Sequence, residues 1–269
     1  VPRTKEPLQL IEELDAIRRL GSSGTVFIVD DNFIGNRKKL KAEVLPAIIR
    51  WMKEKHYPFT LFTQTSIDLA DDEELMTLMT DAGFDRVFVG IETPNEESLR
   101  ECHKGQNSKR ELIDSVRVLQ NHGLEVQGGF IIGFDSDPAN IFERQISFIQ
   151  QSGIVTAMVG LLRAQRGTRL YKRLKDQNRL VGEASGDNTD LSLNFVPKMR
   201  REALIEGYRQ VLTTIYSPRN YYARIATFLR EHRPVGRRRG SLRATHIRGL
   251  LTSFWYLGIR EKGRRYYWR

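Results

Sequence analysis

The chain has 269 residues, 40% hydrophobic and 28% charged, with a formal net charge of +10. No apolar run approaches the roughly 20 residues of a membrane span. One cysteine, Cys102, excludes an internal disulfide, points to a reducing, cytoplasmic setting, and by itself cannot hold an iron–sulfur cluster or a Cys-rich zinc site. The charge is unevenly placed. Residues 234–269 carry ten Lys/Arg against the single acid Glu261, and the rest of the chain is close to neutral. Any partner selected by basicity is therefore selected by that tail.

Pro7–Leu20 places Leu8, Ile11, Leu14, Ile17 and Leu20 at steps of three, an amphipathic helix that tolerates Pro7 in its first turn and stops at Gly21-Ser-Ser-Gly24. Thr25-Val-Phe-Ile-Val-Asp-Asp-Asn-Phe33 follows, an apolar run ending in two carboxylates and an amide. Such a run suits a strand buried on both faces, as in a parallel sheet. The period then returns to that of a helix over Arg37–Lys55, and Phe59–Thr65 reads as a second strand with polar residues at its end. Asp71–Ala82 is a helix with acids in its first turn, Arg86–Thr93 a strand ending on Glu92, and Ser108–His122 the return helix. Glu125–Phe134 is the fourth strand, Asn140–Gln151 the next helix, and Ile154–Leu162 the fifth strand. Beyond Lys172 the strands cease. Gly182–Pro197 is polar and turn-rich, Arg200–Tyr216 and Tyr221–Glu231 read as helices, and His232–Gly240 is a basic linker. In the tail, Ile247, Leu250, Leu251, Phe254 and Leu257 form an apolar stripe flanked by Arg.

Strand ends spaced by one βα unit predict a parallel sheet with right-handed crossovers. Polar or glycine-rich residues at each strand's C-terminal end favour a barrel rim over a doubly wound sheet. Because the pattern opens on a helix, a preceding strand is expected to be missing. Three features of the rim point to chemistry: Asp30-Asp31, Gly90-Ile-Glu92, and Gly129-Phe-Ile-Ile-Gly133. Glycines inside a strand weaken it unless another group must approach the backbone, as a flat adenine would. The bland alternatives are an Asx turn at Asp30 and a bulge at the glycines. Asp30, Asp31 and Glu92 are also candidate ligands for a metal-assisted βα-barrel enzyme.

Taken with those features, Phe27–Gly35, Gly90–Pro94, Gln127–Asp137, Ser152–Leu162, Val1–Lys5, Gly186-Asp-Asn-Thr-Asp190 and Ile215–Arg219 resemble the radical S-adenosylmethionine (SAM) enzymes. More narrowly they are similar to the B12-binding-domain subgroup with a helical (DUF4070-type) region after the barrel, the group containing the hopanoid C-2 methylase. The resemblance implies an α/β fold, a partial (β/α)6 barrel lacking its first strand (1–171), then a helical region (172–233) and a basic amphipathic tail (234–269). In that family a Cys-x3-Cys-x2-Cys loop holds a [4Fe–4S] cluster, expected here upstream of Val1. The chain is thus expected to be a fragment, inactive alone, of an enzyme that moves a methyl group by way of cobalamin to an unactivated carbon of a small or lipid-like substrate. An electron donor would reduce the cluster.

By the same resemblance Asp30, Asp31 and Asn32 face the methionine amino group of SAM, and Gln64 and Thr65 its ribose or carboxylate. Glu92 takes the ribose hydroxyls, Gly129, Ile131 and Gly133 form the adenine strand, and Leu161 and Leu162 give backbone contacts. Cys102 is read as an ordinary thiol. Relatives often have Pro-Gly-Thr after the last strand, where this chain has Ala164-Gln-Arg-Gly-Thr168, which puts that loop's rigidity in question. The tail suits peripheral contact with an anionic membrane, and nucleic acid ranks last because the barrel has no basic–aromatic platform.

Overall fold

The computed structural model describes residues 5–21, 24–107, 110–184, 191–234 and 244–269. Val1-Pro-Arg-Thr, Gly186-Asp-Asn-Thr-Asp190 and residues 235–240 of the basic linker lie outside them. Helix α1 (Pro7–Arg19) opens on a capping box between Glu6 and Gln9. After β1 (Thr25–Ile28) comes a 3₁₀ turn, Phe33–Asn36, and a helical stretch in three parts: α2 (Arg37–Lys39), a π-helical turn (Leu40–Val44) and α3 (Leu45–Glu54). The sequence periodicity predicts one uninterrupted helix there. Pro46 explains the difference: it lacks an N–H and crowds the carbonyl four residues back, so the turn before it widens.

The βα alternation continues through β2 (Thr60–Thr65), α4 (Glu73–Asp81), β3 (Phe84–Glu92), α5 (Glu96–Glu101), α6 (Leu112–Asn121), β4 (Glu125–Ile132), α7 (Ile141–Ser152) and β5 (Ala157–Leu161). The Asp72 carboxylate caps α4 by accepting from the Leu75 N–H at 3.1 Å. Five helices follow: α8 (Arg169–Asp176), α9 (Arg201–Ile215), α10 (Pro218–Glu231), α11 (Ala244–Trp255) and α12 (Arg264–Tyr267), with a π-helical turn at Tyr256–Arg260.

The sheet is wholly parallel, in the order β1-β2-β3-β4-β5. Sequential order with crossovers of one hand puts every crossover helix on the same face, the arrangement of an opened barrel. Burial therefore alternates along β2 and β4. Leu61, Thr63, Val126, Phe130 and Ile132 are buried beneath the helices, and Phe62, Gln64, Gln127, Gly129 and Ile131 line the concave lumen. This corrects the expectation for the first strand. Strand β1 is not buried on both faces but stops at Ile28 and forms the sheet edge, leaving Phe27 47% and Val29 83% exposed. Its apolar run is long enough for a core strand, but among the described residues no strand pairs with its outer side.

The helical region is fastened by an unusual group. Arg224 of α10 is fully buried and, among the described residues, pairs with no acid. It donates to the carbonyls of Ile154 (3.1 Å), Val155 (3.2 Å) and Ile215, and to Gln150 Oε1 (2.6 Å), between the rings of Tyr216 and Tyr221. One guanidinium thus ties α10 to α7, to the end of α9 and to the approach to β5. Burial lowers its pKa, and the two tyrosines oppose that.

Candidate functional site

The register of the sheet stacks the lumen side chains in layers. Phe27 stacks on Phe62 at 4.7 Å between centroids, and Phe62 is paired with Arg86. Above them Gln64 pairs with Phe88, and Phe88 with Gln127. Next come Gly90, Gly129 and Met158, and beyond these Ile131 is paired with Gly160. Side chains thus give way to bare backbone toward the C-terminal ends of β3–β5, the end at which βα barrels bind ligands.

The three lumen glycines are not equivalent. A Cβ on Gly129 would lie 2.8 Å from the Phe88 ring, so that glycine makes room for the phenyl group. A Cβ on Gly90 would meet the Glu92 carboxylate at 2.7 Å and the Lys104 ammonium at 3.2 Å. A Cβ on Gly160 would have nothing within 4 Å. The open strip therefore lies along Gly160 and Ile131, beside exposed Met158.

Glu92 ends β3 with its carboxylate over Gly90. It sits past a register shift between Gly90 and Glu92 and takes φ +66°, a conformation non-glycine residues hold only when their surroundings enforce it. Asn107 supplies that enforcement, with its side-chain N–H₂ donating to the carbonyls of Gly90 (3.0 Å) and Ile91 (2.9 Å). Lys104 adds an ion pair to Glu92 at 3.0 Å. Both come from the α5–α6 connection, whose Lys104-Gly-Gln-Asn107 pattern carries no chemical signature in the sequence, and both were missed there. Gly160 was missed too, although the alternation in Ala157-Met-Val-Gly-Leu161 places it opposite the buried residues.

The other predicted residues divide as follows. Asp30, Asp31 and Asn32 lie exposed in the turn after β1. The Asp30 carboxylate accepts the Asn32 N–H at 2.9 Å, so the Asx turn weighed as an alternative is present. Asn32 Oδ1 in turn accepts from the Ser66 N–H at 3.1 Å, joining the rims of β1 and β2. Gln64 faces the lumen. Thr65 does not: its side chain is 2% exposed and lies on the helix side, because adjacent strand residues point to opposite faces. Leu161 and Leu162, expected to offer backbone contacts, bury their side chains in the core, and Leu162 donates its N–H to the Ile132 carbonyl at 2.8 Å. Gly133 lies just past β4 at φ +109°, with its N–H and that of Phe134 held by Asp137 at 2.8 and 3.0 Å. Burial pushes the Asp137 carboxyl up, and the Ser98 hydroxyl at 2.7 Å opposes this.

For a metal the residues fit poorly. Among the described residues no group of three His, Cys, Asp or Glu is placed to hold an ion, so Asp30, Asp31 and Glu92 do not converge on one. Burial raises the Cys102 thiol pKa, and the Glu92 charge adds to it, which disfavours the thiolate a cluster needs.

Comparison with known proteins fixes the family. Residues 1–148 match the model of the radical SAM superfamily. The chain belongs to the radical SAM superfamily. Residues 168–269 of this radical SAM chain match a domain of unknown function, DUF4070. An uncharacterized methyltransferase of Synechocystis is 40% identical over 99% of the chain, which covers 50% of that relative. The hopanoid C-2 methylase of Rhodopseudomonas palustris is 32% identical over the whole chain and is 51% covered. The chain thus spans about half the length of these relatives. Among solved structures, the radical SAM methyltransferase TsrM of Kitasatospora setae, with cobalamin and a [4Fe–4S] cluster bound, superposes with a TM-score of 0.56 at 16% identity. The match covers 78% of this chain and 41% of TsrM, a likeness of fold.

Proposed function

We propose that this chain is the SAM-binding part of a methyltransferase that uses cobalamin as methyl carrier. The observation that carries the reading is the open space over Gly160, paired with Ile131, on the same C-terminal end of the parallel strands as the Glu92 carboxylate. The open space over Gly160, flanked by the apolar Ile131 and Met158, fits a purine. The Glu92 carboxylate at the end of β3 fits the paired hydroxyls of a ribose, both of which it can accept from. Asp30 and Asp31, exposed on the far rim, fit the methionine ammonium. Gln64 and Gln127 on the lumen face add neutral polar contacts between these ends. When bound, SAM supplies the methyl group and the radical chemistry for which the superfamily is named. The chain's own residues bind and orient it, and Phe27, Phe62 and Phe88 line the lumen beneath it with apolar rings.

The described residues do not fit a [4Fe–4S] cluster, so we place that group and cobalamin on parts of the whole protein outside this chain. The named relatives support methyl transfer to carbon, with a small or lipid-like acceptor. Equilibrium dialysis with methyl-labelled SAM tests the reading, using Gly160→Leu. Its side chain enters open space, so the melting temperature is expected to hold while SAM affinity falls at least about tenfold, the loss of about 1.4 kcal/mol. Unchanged affinity in a folded Gly160→Leu chain would overturn the site.

A further inference from the structure

The proposed site makes no use of the basic tail, whose geometry is independent of it. Ile247, Leu251, Trp255 and Ile259 recur every four residues along α11 and the π-helical turn, and each is more than half exposed. Leu250, Tyr256 and Trp268 are also more than half exposed. Such a concentration of apolar surface on a water-facing helix marks an interaction site.

This exposure belongs to a packed unit. Phe254 stacks on Trp268 at 5.7 Å, and the Trp268 indole lies flat on Gly258 and donates to its carbonyl at 2.9 Å. The hydroxyls of Ser253 and Tyr267 are 2.9 Å apart. The Tyr267 ring meets Tyr222 of α10 edge-on at 5.9 Å, and Gly263 packs against Pro218. The tail is thus fixed to the helical region through one side and keeps its aliphatic stripe on the other.

The same segment carries Arg248, Arg260, Lys262, Arg264, Arg265 and Arg269, with Glu261 the one acid. Arg260 lies over the Tyr256 ring at 5.5 Å and Arg265 over the Tyr266 ring at 4.7 Å. We infer that α11, the π-helical turn and α12 form a docking surface for an anionic lipid bilayer. Leu and Ile at the centre of the stripe enter the acyl boundary. Trp255, Tyr256 and Trp268 sit at headgroup depth, and the arginines meet lipid phosphates. Among the described residues no helix is long and apolar enough to cross a membrane, so this one lies in the interface plane. A phosphate-backbone partner would use the cations and rings but gives no role to Ile247, Leu250, Leu251 and Ile259. An anionic bilayer uses all three kinds of side chain, and charge complementarity selects it over a neutral one.

Cosedimentation of the 269-residue chain with sucrose-loaded vesicles is the test. One set is phosphatidylcholine alone, and a second contains about one-third phosphatidylglycerol. Binding is expected to the anionic set only and to weaken as salt rises from about 0.1 to 0.5 M. Leu251→Glu/Trp255→Glu is expected to abolish it. Arg264→Glu/Arg265→Glu is expected to lower the partition coefficient by roughly 10- to 100-fold. These side chains point outward, so circular dichroism and melting temperature should hold in both variants. Lipids brominated near the acyl boundary should quench the wild-type tryptophan emission, a readout that needs no variant. Any of three results would overturn the inference. The wild type binds neither vesicle set, both variants bind like wild type, or the stripe instead mediates a dimer that Leu251→Glu/Trp255→Glu dissociates. Equal capture of duplex DNA by the wild type and the Leu251→Glu/Trp255→Glu chain, with vesicles ignored, would assign the cations to nucleic acid instead.

Discussion

Glu92 is held in place from two sides by groups of different strength. The Lys104 ammonium pairs with it at 3.0 Å but is one-third exposed, so solvent screens the pair and its contribution to folding is at most about 1 kcal/mol. Asn107 is buried and satisfies two carbonyls at the strand end, so losing it leaves buried acceptors unpaired at a cost of about 1–3 kcal/mol. Two separable effects are expected. Lys104→Met should melt near the wild type yet bind SAM about threefold more weakly, because the carboxylate loses its orientation. Asn107→Ala should melt lower and lose affinity as well. Denaturant unfolding and dialysis on the same samples check both, and a Lys104→Met chain with wild-type affinity would remove that residue from the site.

At the scale of elements, the helical region is joined to the barrel by polar contacts as well as apolar packing. Leu204 and Val211 of α9 are fully buried in the main core, and a side chain on Gly207 would collide with the Phe142 ring of α7. Arg224 adds the polar fastening. Arg224→Met keeps the volume but leaves three carbonyls and the Gln150 amide without their donor. It is expected to destabilise by about 3–5 kcal/mol, enough to lower the melting temperature by roughly ten degrees in a chain of this size. Thermal unfolding checks this, and a loss below about 1 kcal/mol would mean water replaces the guanidinium without penalty. The periodicity predicts a helix over Tyr221–Glu231, which α10 extends back to Pro218, but it singles out nothing at Arg224. A buried arginine without an acid has no local signature, since its partners lie on three other elements.

Across the molecule, the far rim is closed by a charge network between the two family-matched regions. Asp135, after β4, receives both Arg179 donors at 2.7 Å and lies 3.5 Å from Arg173. Glu101 of α5 accepts from the Ser136 N–H at 3.0 Å and pairs with Arg173. The Arg179 guanidinium holds the Asp135 carboxyl below its usual range, with burial opposing. A carboxyl with a depressed folded pKa contributes stability that is fully present above its unfolded value, about 3.9, and is lost as pH falls through the folded value. The stability difference between wild type and Asp135→Asn should therefore stay level above about pH 5 and shrink below about pH 4. Melting temperatures across that range check it, and a difference that grew on acidification would contradict the assignment.

The sequence by itself determined the order of elements, the parallel sheet and the end of it that carries the polar residues, because those follow from local periodicity and from the handedness of crossovers. Asp30 through Asn32, Gln64, Glu92, Gly129 and Ile131 were legible as rim or lumen residues for the same reason. The tertiary structure decided what depends on neighbours distant in sequence. It left β1 uncovered at an edge, turned the side chains of Thr65, Leu161 and Leu162 into the core, and showed that Phe88 fills the space over Gly129 while Gly160 stays open. It also brought Lys104 and Asn107 to Glu92 and fixed the tail so that its stripe faces water. A side chain's residue type limits what it can do. The surface it lies against, which pattern and spacing do not encode, selects which of those things it does.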